Sequence, residues 1–92
     1  MQSRVAVIGI IIEDKSSIDE LTHIISEYSE YVIGRMGIPY HKRDISIISL
    51  CVEAPQDMIS GFSGKLGRLS GVQAKAAYSN AIFDDALENQ FE

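Results

Sequence analysis

The stretch Arg4 to Glu13, RVAVIGIIIE, decides how the chain folds. Val5 to Ile12 carry no charge, and the run is short, rich in β-branched residues and closed by Glu13-Asp14-Lys15-Ser16, which together predict a β-strand. In a strand Val5, Val7, Gly9 and Ile11 share one face and Ala6, Ile8, Ile10 and Ile12 the other, so both faces are apolar and both need cover. The rest of the chain supplies two helices at most, enough for one face. The second face is therefore expected to lie against another copy of the chain.

Working outward, Ser17-Ile18-Asp19-Glu20 fits a capping box, with Ser17 and Glu20 each satisfying a free backbone amide. Ile18, Leu21, Ile24, Ile25 and Tyr28 then recur at helical spacing, while Asp19, Glu20, Glu27 and Glu30 fall on the wet side. Tyr31 to Ile38 reads as a strand interrupted by Gly34 and Gly37, which suggests a bulge or the close approach of another backbone. A longish polar loop from Pro39 to Asp44 leads to a third strand over Ile45 to Glu53. Ala54-Pro55 starts a second helix, with Pro in the first turn, where its missing amide costs nothing. Met58, Ile59, Phe62, Leu66 and Leu69 form the apolar stripe of that helix, and Gly71 is expected as its C-terminal cap. Val72, Ala74 and Ala76 alternate with Gln73 and Lys75 in a fourth strand reaching about Tyr78.

The order β-α-β-β-α-β predicts an α+β, ferredoxin-like domain over residues 1 to 78, with four antiparallel strands and both helices on one face. Residues 79 to 92 form an acidic tail in which Phe83, Leu87 and Phe91 share one helical face, the pattern of a short amphipathic helix, the alternative being a frayed acidic terminus.

Composition narrows the function. Of 92 residues, 46% are hydrophobic and the formal net charge is −5. The tail holds Asp84, Asp85, Glu88 and Glu92 without a base, leaving nine acids against eight bases, a net of −1, in residues 1 to 78. A near-neutral body does not suit nucleic-acid binding through phosphate contacts. The single cysteine precludes an intramolecular disulfide, and no apolar run approaches the ~20 residues that span a bilayer, so a cytoplasmic protein is expected. So small a domain gains stability by oligomerising, as a dimer or a tetramer.

Gly61, Gly64 and Gly67 lie inside the second helix, each costing roughly 1 kcal/mol against Ala. Gly64 and Gly67 fall opposite the apolar stripe, so they and Lys65 are candidates for contact with a ligand or a second backbone, the alternative being a loosely wound or broken helix. Gly61 to Leu66 lacks the spacing of a phosphate loop, and Gly64 to Gly67 matches the two-glycine RNA loop only in form. His23, His41 and Cys51 are the soft metal ligands and no two stand at ligand spacing; His41, in the polar loop, is the best placed, but neither a metal nor another cofactor is expected. No nucleophile has a recognisable base beside it, so an enzyme is not expected.

Ser63-Gly-Lys-Leu-Gly67, Ser70-Gly-Val72 with Lys75, the Ile12-Glu13-Asp14 strand exit and Arg35-Met-Gly-Ile-Pro39 together resemble the family named iron-only hydrogenase system regulators, over roughly residues 4 to 78. The resemblance implies an ACT-type ferredoxin-like fold, similar also to the regulatory domain of nickel-responsive repressors. It further implies a small oligomeric sensor or accessory protein. The chain lacks the repressors' His-x-His pair and a separate DNA-binding segment, so neither nickel sensing nor direct DNA binding is expected. Two functional classes follow. One is a regulator that binds a small-molecule effector through Gly34, Gly37 and Pro39 and the glycine face of the second helix. The other is a non-catalytic scaffold or protein-interaction subunit using the tail.

Overall fold

The computed structural model describes residues 2–84. Its elements are β1 (Gln2–Ile12), α1 (Ile18–Glu27), β2 (Val32–Tyr40), β3 (Ile45–Ala54), α2 (Gln56–Gly67), β4 (Val72–Tyr78) and a short β5 (Phe83–Asp84). The four long strands form an antiparallel sheet in the order β2-β3-β1-β4, which puts β1 at its centre and β2 at one edge.

The two faces of β1 separate as the alternation requires. Ala6, Ile8, Ile10 and Ile12 are buried with Leu50 and Val52 of β3, Leu21 and Ile25 of α1, and Ile59, Phe62 and Leu66 of α2. Each such large side chain contributes about 1.5–3 kcal/mol, which makes this layer the source of the fold's stability. Tyr28 closes the core at the end of α1, its ring stacked on Phe62 with centroids 4.2 Å apart. The opposite face has no helix. Val7 and Ile11 of β1 share it with Ile47 and Cys51 of β3 and with Met36, Ile38 and Tyr40 of β2, since directly paired residues point the same way.

Several local expectations need correcting. Ser17 makes no capping hydrogen bond to its own helix; its hydroxyl donates to the Ser70 carbonyl at 2.6 Å, across the molecule. Capping falls to Asp14, whose carboxylate accepts from the Ser16 amide at 2.9 Å ahead of a 3-10 turn over Lys15–Ser17. The polar loop is shorter than its sequence suggests: Pro39 and Tyr40 belong to β2, and His41–Arg43 form one 3-10 turn closed by Asp44 at φ 56°. Ala54 ends β3, with Pro55 preceding α2 in an extended conformation, not inside its first turn.

Gly71 does not cap α2, which ends at Gly67 with Arg68 as its cap; it stands in the turn beyond, at φ +65°, and its carbonyl accepts from the Glu13 amide at 2.7 Å. The bulge in β2 lies between Val32 and Gly34, while Gly37 pairs regularly with Ile48. In the tail, Phe83 and Asp84 are extended and pair with Ser3 and Gln2, so a helix does not begin at Phe83. Leu87 and Phe91 lie outside the described residues.

Candidate functional site

β2 is an edge strand, and residues 33–40 are all exposed. A groove of about 300 Å³ opens between α1 and β2. Ile12, Ile18, Leu21 and Ile48 make it apolar, Arg35, Gly37 and Pro39 form its β2 side, and the hydroxyls of Thr22 and Ser46 border it. A second hollow of about 270 Å³ along the same seam shares Thr22 and Arg35 with the first. Gly37 and Pro39 reach this side because they pair with Ile48 and Ser46, whose neighbours on the same face are core residues.

Arg35 is the charged residue of the groove, and among the described residues it has no hydrogen-bond or ion-pair partner. A guanidinium over an apolar floor, with hydroxyls beside it, suits the planar, bidentate hold of an anionic group carried on an apolar body. Lys15, before α1, forms an ion pair with Asp44, after β2, with both side chains exposed. The Lys15 ammonium, by hydrogen bond and charge, holds the Asp44 carboxyl below the usual range. The Ser16 hydroxyl and amide, together with the Ser70 hydroxyl, do the same to Asp14.

The six residues singled out by sequence do not come together. Gly37 and Pro39 line the groove; Gly34, paired with Cys51, is on the helix-free face. Gly64, Lys65 and Gly67 are in the last turns of α2, an unbroken helix of 12 residues, so neither a broken helix nor a two-glycine loop is present there. A β-carbon added at Gly61, Gly64 or Gly67 would meet nothing within 4 Å. Lys65 turns back toward α1, its ammonium 5.2 Å from the Tyr28 ring centre. His23 and His41 are exposed on α1 and in the β2–β3 turn, and Cys51 is half-buried on the sheet. Among the described residues no group of three His, Cys, Asp or Glu side chains could hold a metal, and no helix is long and apolar enough to cross a membrane. Within the sequence Arg35 stands only in the motif Arg35-Met-Gly-Ile-Pro39, between Gly34 and Gly37, and its place on an edge strand comes from long-range pairing.

A four-stranded antiparallel sheet in this order, backed by two helices on one face, defines an ACT-like domain of the ferredoxin-like class. The chain belongs to the TM1266-like family, described as "Iron-only hydrogenase system regulator, putative", whose model matches residues 4–76. The uncharacterized protein TM1266 from Thermotoga maritima superposes with a TM-score of 0.79 at 27% identity, over 83% of this chain and 96% of that one. The ACT domain of GTP pyrophosphokinase from Chlorobium tepidum, at 21% identity, shares the fold with a TM-score of 0.58 over 86% of this chain and 89% of its own. No curated protein matches the sequence.

Proposed function

We propose that this chain is a non-enzymatic regulatory subunit of an iron-only hydrogenase system, a homo-oligomer that senses an anionic small molecule in the groove between α1 and β2. The observation that carries the reading is Arg35, a guanidinium without a partner among the described residues, set in an apolar groove about the size of the smallest ligand pockets. The family description and the ACT-like fold support regulation over catalysis. Assembly is supported by the helix-free face, where Met36 is 60% and Ile38 47% exposed beside Val7 and Ile11, a contiguous apolar surface of the kind that marks an interaction site. Gly64 and Gly67 serve in this reading as a second place where another molecule comes close to the backbone.

The experiment is to purify the native chain and an Arg35→Gln variant side by side, extract them with denaturant and analyse the small-molecule fraction by mass spectrometry. An anionic compound retained by the native protein and lost from the variant, at unchanged thermal stability, is expected. Equal retention by both, or no compound in either, would count against the groove as a sensor site. A scaffold subunit would then be the better reading.

A further inference from the structure

We propose that the helix-free face of the sheet carries a second ligand site, a hollow over Gly9 that takes a small organic carboxylate. The Lys75 ammonium holds the charged group, and the apolar body lies flat on the backbone of β1. The site is built within one chain and does not depend on the groove between α1 and β2; a second copy laid over the face would roof it.

Gly9 stands in the middle of the central strand, paired with Ser49 of β3 on one side and Lys75 of β4 on the other, and the register runs through it on both sides without a shift. A glycine inside a strand weakens it and marks a bulge, a barrel corner, a left-handed φ or the close approach of another molecule. The bulge of this sheet is in β2, the sheet is open and so has no barrel corner, and Gly71 alone among the described glycines has a positive φ. A β-carbon at Gly9 would meet nothing within 4 Å, so no neighbouring side chain uses the space. What is left is an approach from outside the chain.

The shape of the hollow follows from the pairing. Direct partners share a face, so the row across this face reads Ser49, Gly9, Lys75, and the next row Ile47, Ile11, Gln73. The missing side chain leaves a hollow of about 330 Å³ lined by Gly9, Ile10, Ile11, Ile47, Gln73 and Lys75. The Ile10 side chain is fully buried on the opposite face, so Ile10 contributes only backbone here. The floor is therefore the bare peptide from Gly9 to Ile10, and Ile11 and Ile47 rise beside it as an apolar wall. A flat floor with a branched wall suits a planar apolar body.

The charge of the hollow comes from one residue. Lys75 is exposed and has no hydrogen-bond or ion-pair partner among the described residues. Gln73 is engaged elsewhere, its amide donating to the Glu13 carboxylate at 3.3 Å, and no lining residue carries a negative charge. The backbone here is paired on both sides of β1, so the donor for a ligand is the ammonium. One cation at the edge of an apolar floor selects an anion over a neutral or cationic molecule of the same shape.

The test is amide chemical-shift mapping of the full chain by NMR, with benzoate as the probe and benzamide, its uncharged counterpart, as the control. Benzoate is expected to shift the amides of Gly9, Ile11 and Lys75 saturably, and benzamide is not. Lys75→Gln is expected to weaken that response at least about tenfold, as for the loss of one charge-assisted hydrogen bond, with the remaining spectrum in place. Arg35→Gln should leave it unchanged, which separates this site from the groove. Gly9→Ala, which raises the floor, is expected to abolish it; if that variant does not fold, Lys75→Gln on the surface still decides. Shifts confined to Thr22, Gly37 and Ile48 would support the groove and overturn this site. Equal responses to benzoate and benzamide, an undiminished response in Lys75→Gln, or no response at these amides overturns it too. A Gly9→Ala chain that binds benzoate as before but forms a smaller assembly assigns the space to a second copy, and overturns it as well.

Discussion

Gly71 lies so close to Asp14 that a β-carbon on it would come within 2.5 Å of the Asp14 β-carbon and 2.8 Å of its backbone nitrogen. The contact joins the turn after β1 to the turn after α2. Its backbone half is the Glu13 amide donating to the Gly71 carbonyl at 2.7 Å, and its side-chain half is the Ser17 hydroxyl on the Ser70 carbonyl. Gly71→Ala meets two obstacles at once, a left-handed φ of +65° and a backbone that cannot step aside. We expect it to lower stability by about 2–4 kcal/mol, read from urea unfolding. A loss under about 1 kcal/mol would mean that the two turns can separate without consequence.

Acid should loosen the same junction. The Asp14 and Asp44 carboxyls both lie below the ordinary carboxylate value in the folded chain, Asp14 through hydrogen bonds led by the Ser16 hydroxyl, Asp44 through Lys15. A lowered folded value means that the unfolded chain binds protons first, so the contribution is complete above about pH 4 and is lost as pH falls through the folded value. Thermal melts from pH 6 to pH 2 should fall more shallowly for Asp14→Ala than for the native chain. Parallel curves would show that Asp14 does not contribute to acid sensitivity.

On the helix-free face, Ile11→Lys places a charge in the middle of an apolar surface without touching the core, because Ile11 is 39% exposed and directed away from both helices. Sedimentation should show a smaller species, with the melting temperature lowered through the lost association. A variant of unchanged size and stability would show that nothing covers this face.

The glycines of α2 give a test whose sign depends on a second molecule. Within the chain a methyl group at Gly64 or Gly67 meets open space, so each Gly→Ala change should stabilise the helix by several tenths of a kcal/mol to about 1 kcal/mol if the surface is idle. In the reading proposed above, at least one of the two instead yields a smaller assembly or weaker ligand retention while the fold persists. Sizing and melts of both variants separate these outcomes.

How much of this was legible in the sequence varied with the range of the interactions involved. The strand at Val5–Ile12 and both helix stripes could be read because the period of burial is a local property, and the topology followed from their order. Ser17 misled because a serine three residues before a glutamate is a capping signal only if its hydroxyl stays home, and here it bonds Ser70, 53 residues away. The spacing of Phe83, Leu87 and Phe91 misled at its first residue, because Phe83 is extended and pairs with Ser3, a long-range contact that local spacing does not reveal. The groove was half visible, through Gly37 and Pro39. The role proposed for Arg35 depends on its being on the edge strand, and strand order is set by long-range pairing.

The central claim, a homo-oligomer that buries the helix-free face and holds a small anion, is tested most directly by mass spectrometry of the intact assembly under non-denaturing conditions. The account predicts a dimer or tetramer that carries a bound small molecule, released when Arg35 is replaced by Gln. A bare, folded monomer at micromolar concentration would contradict it.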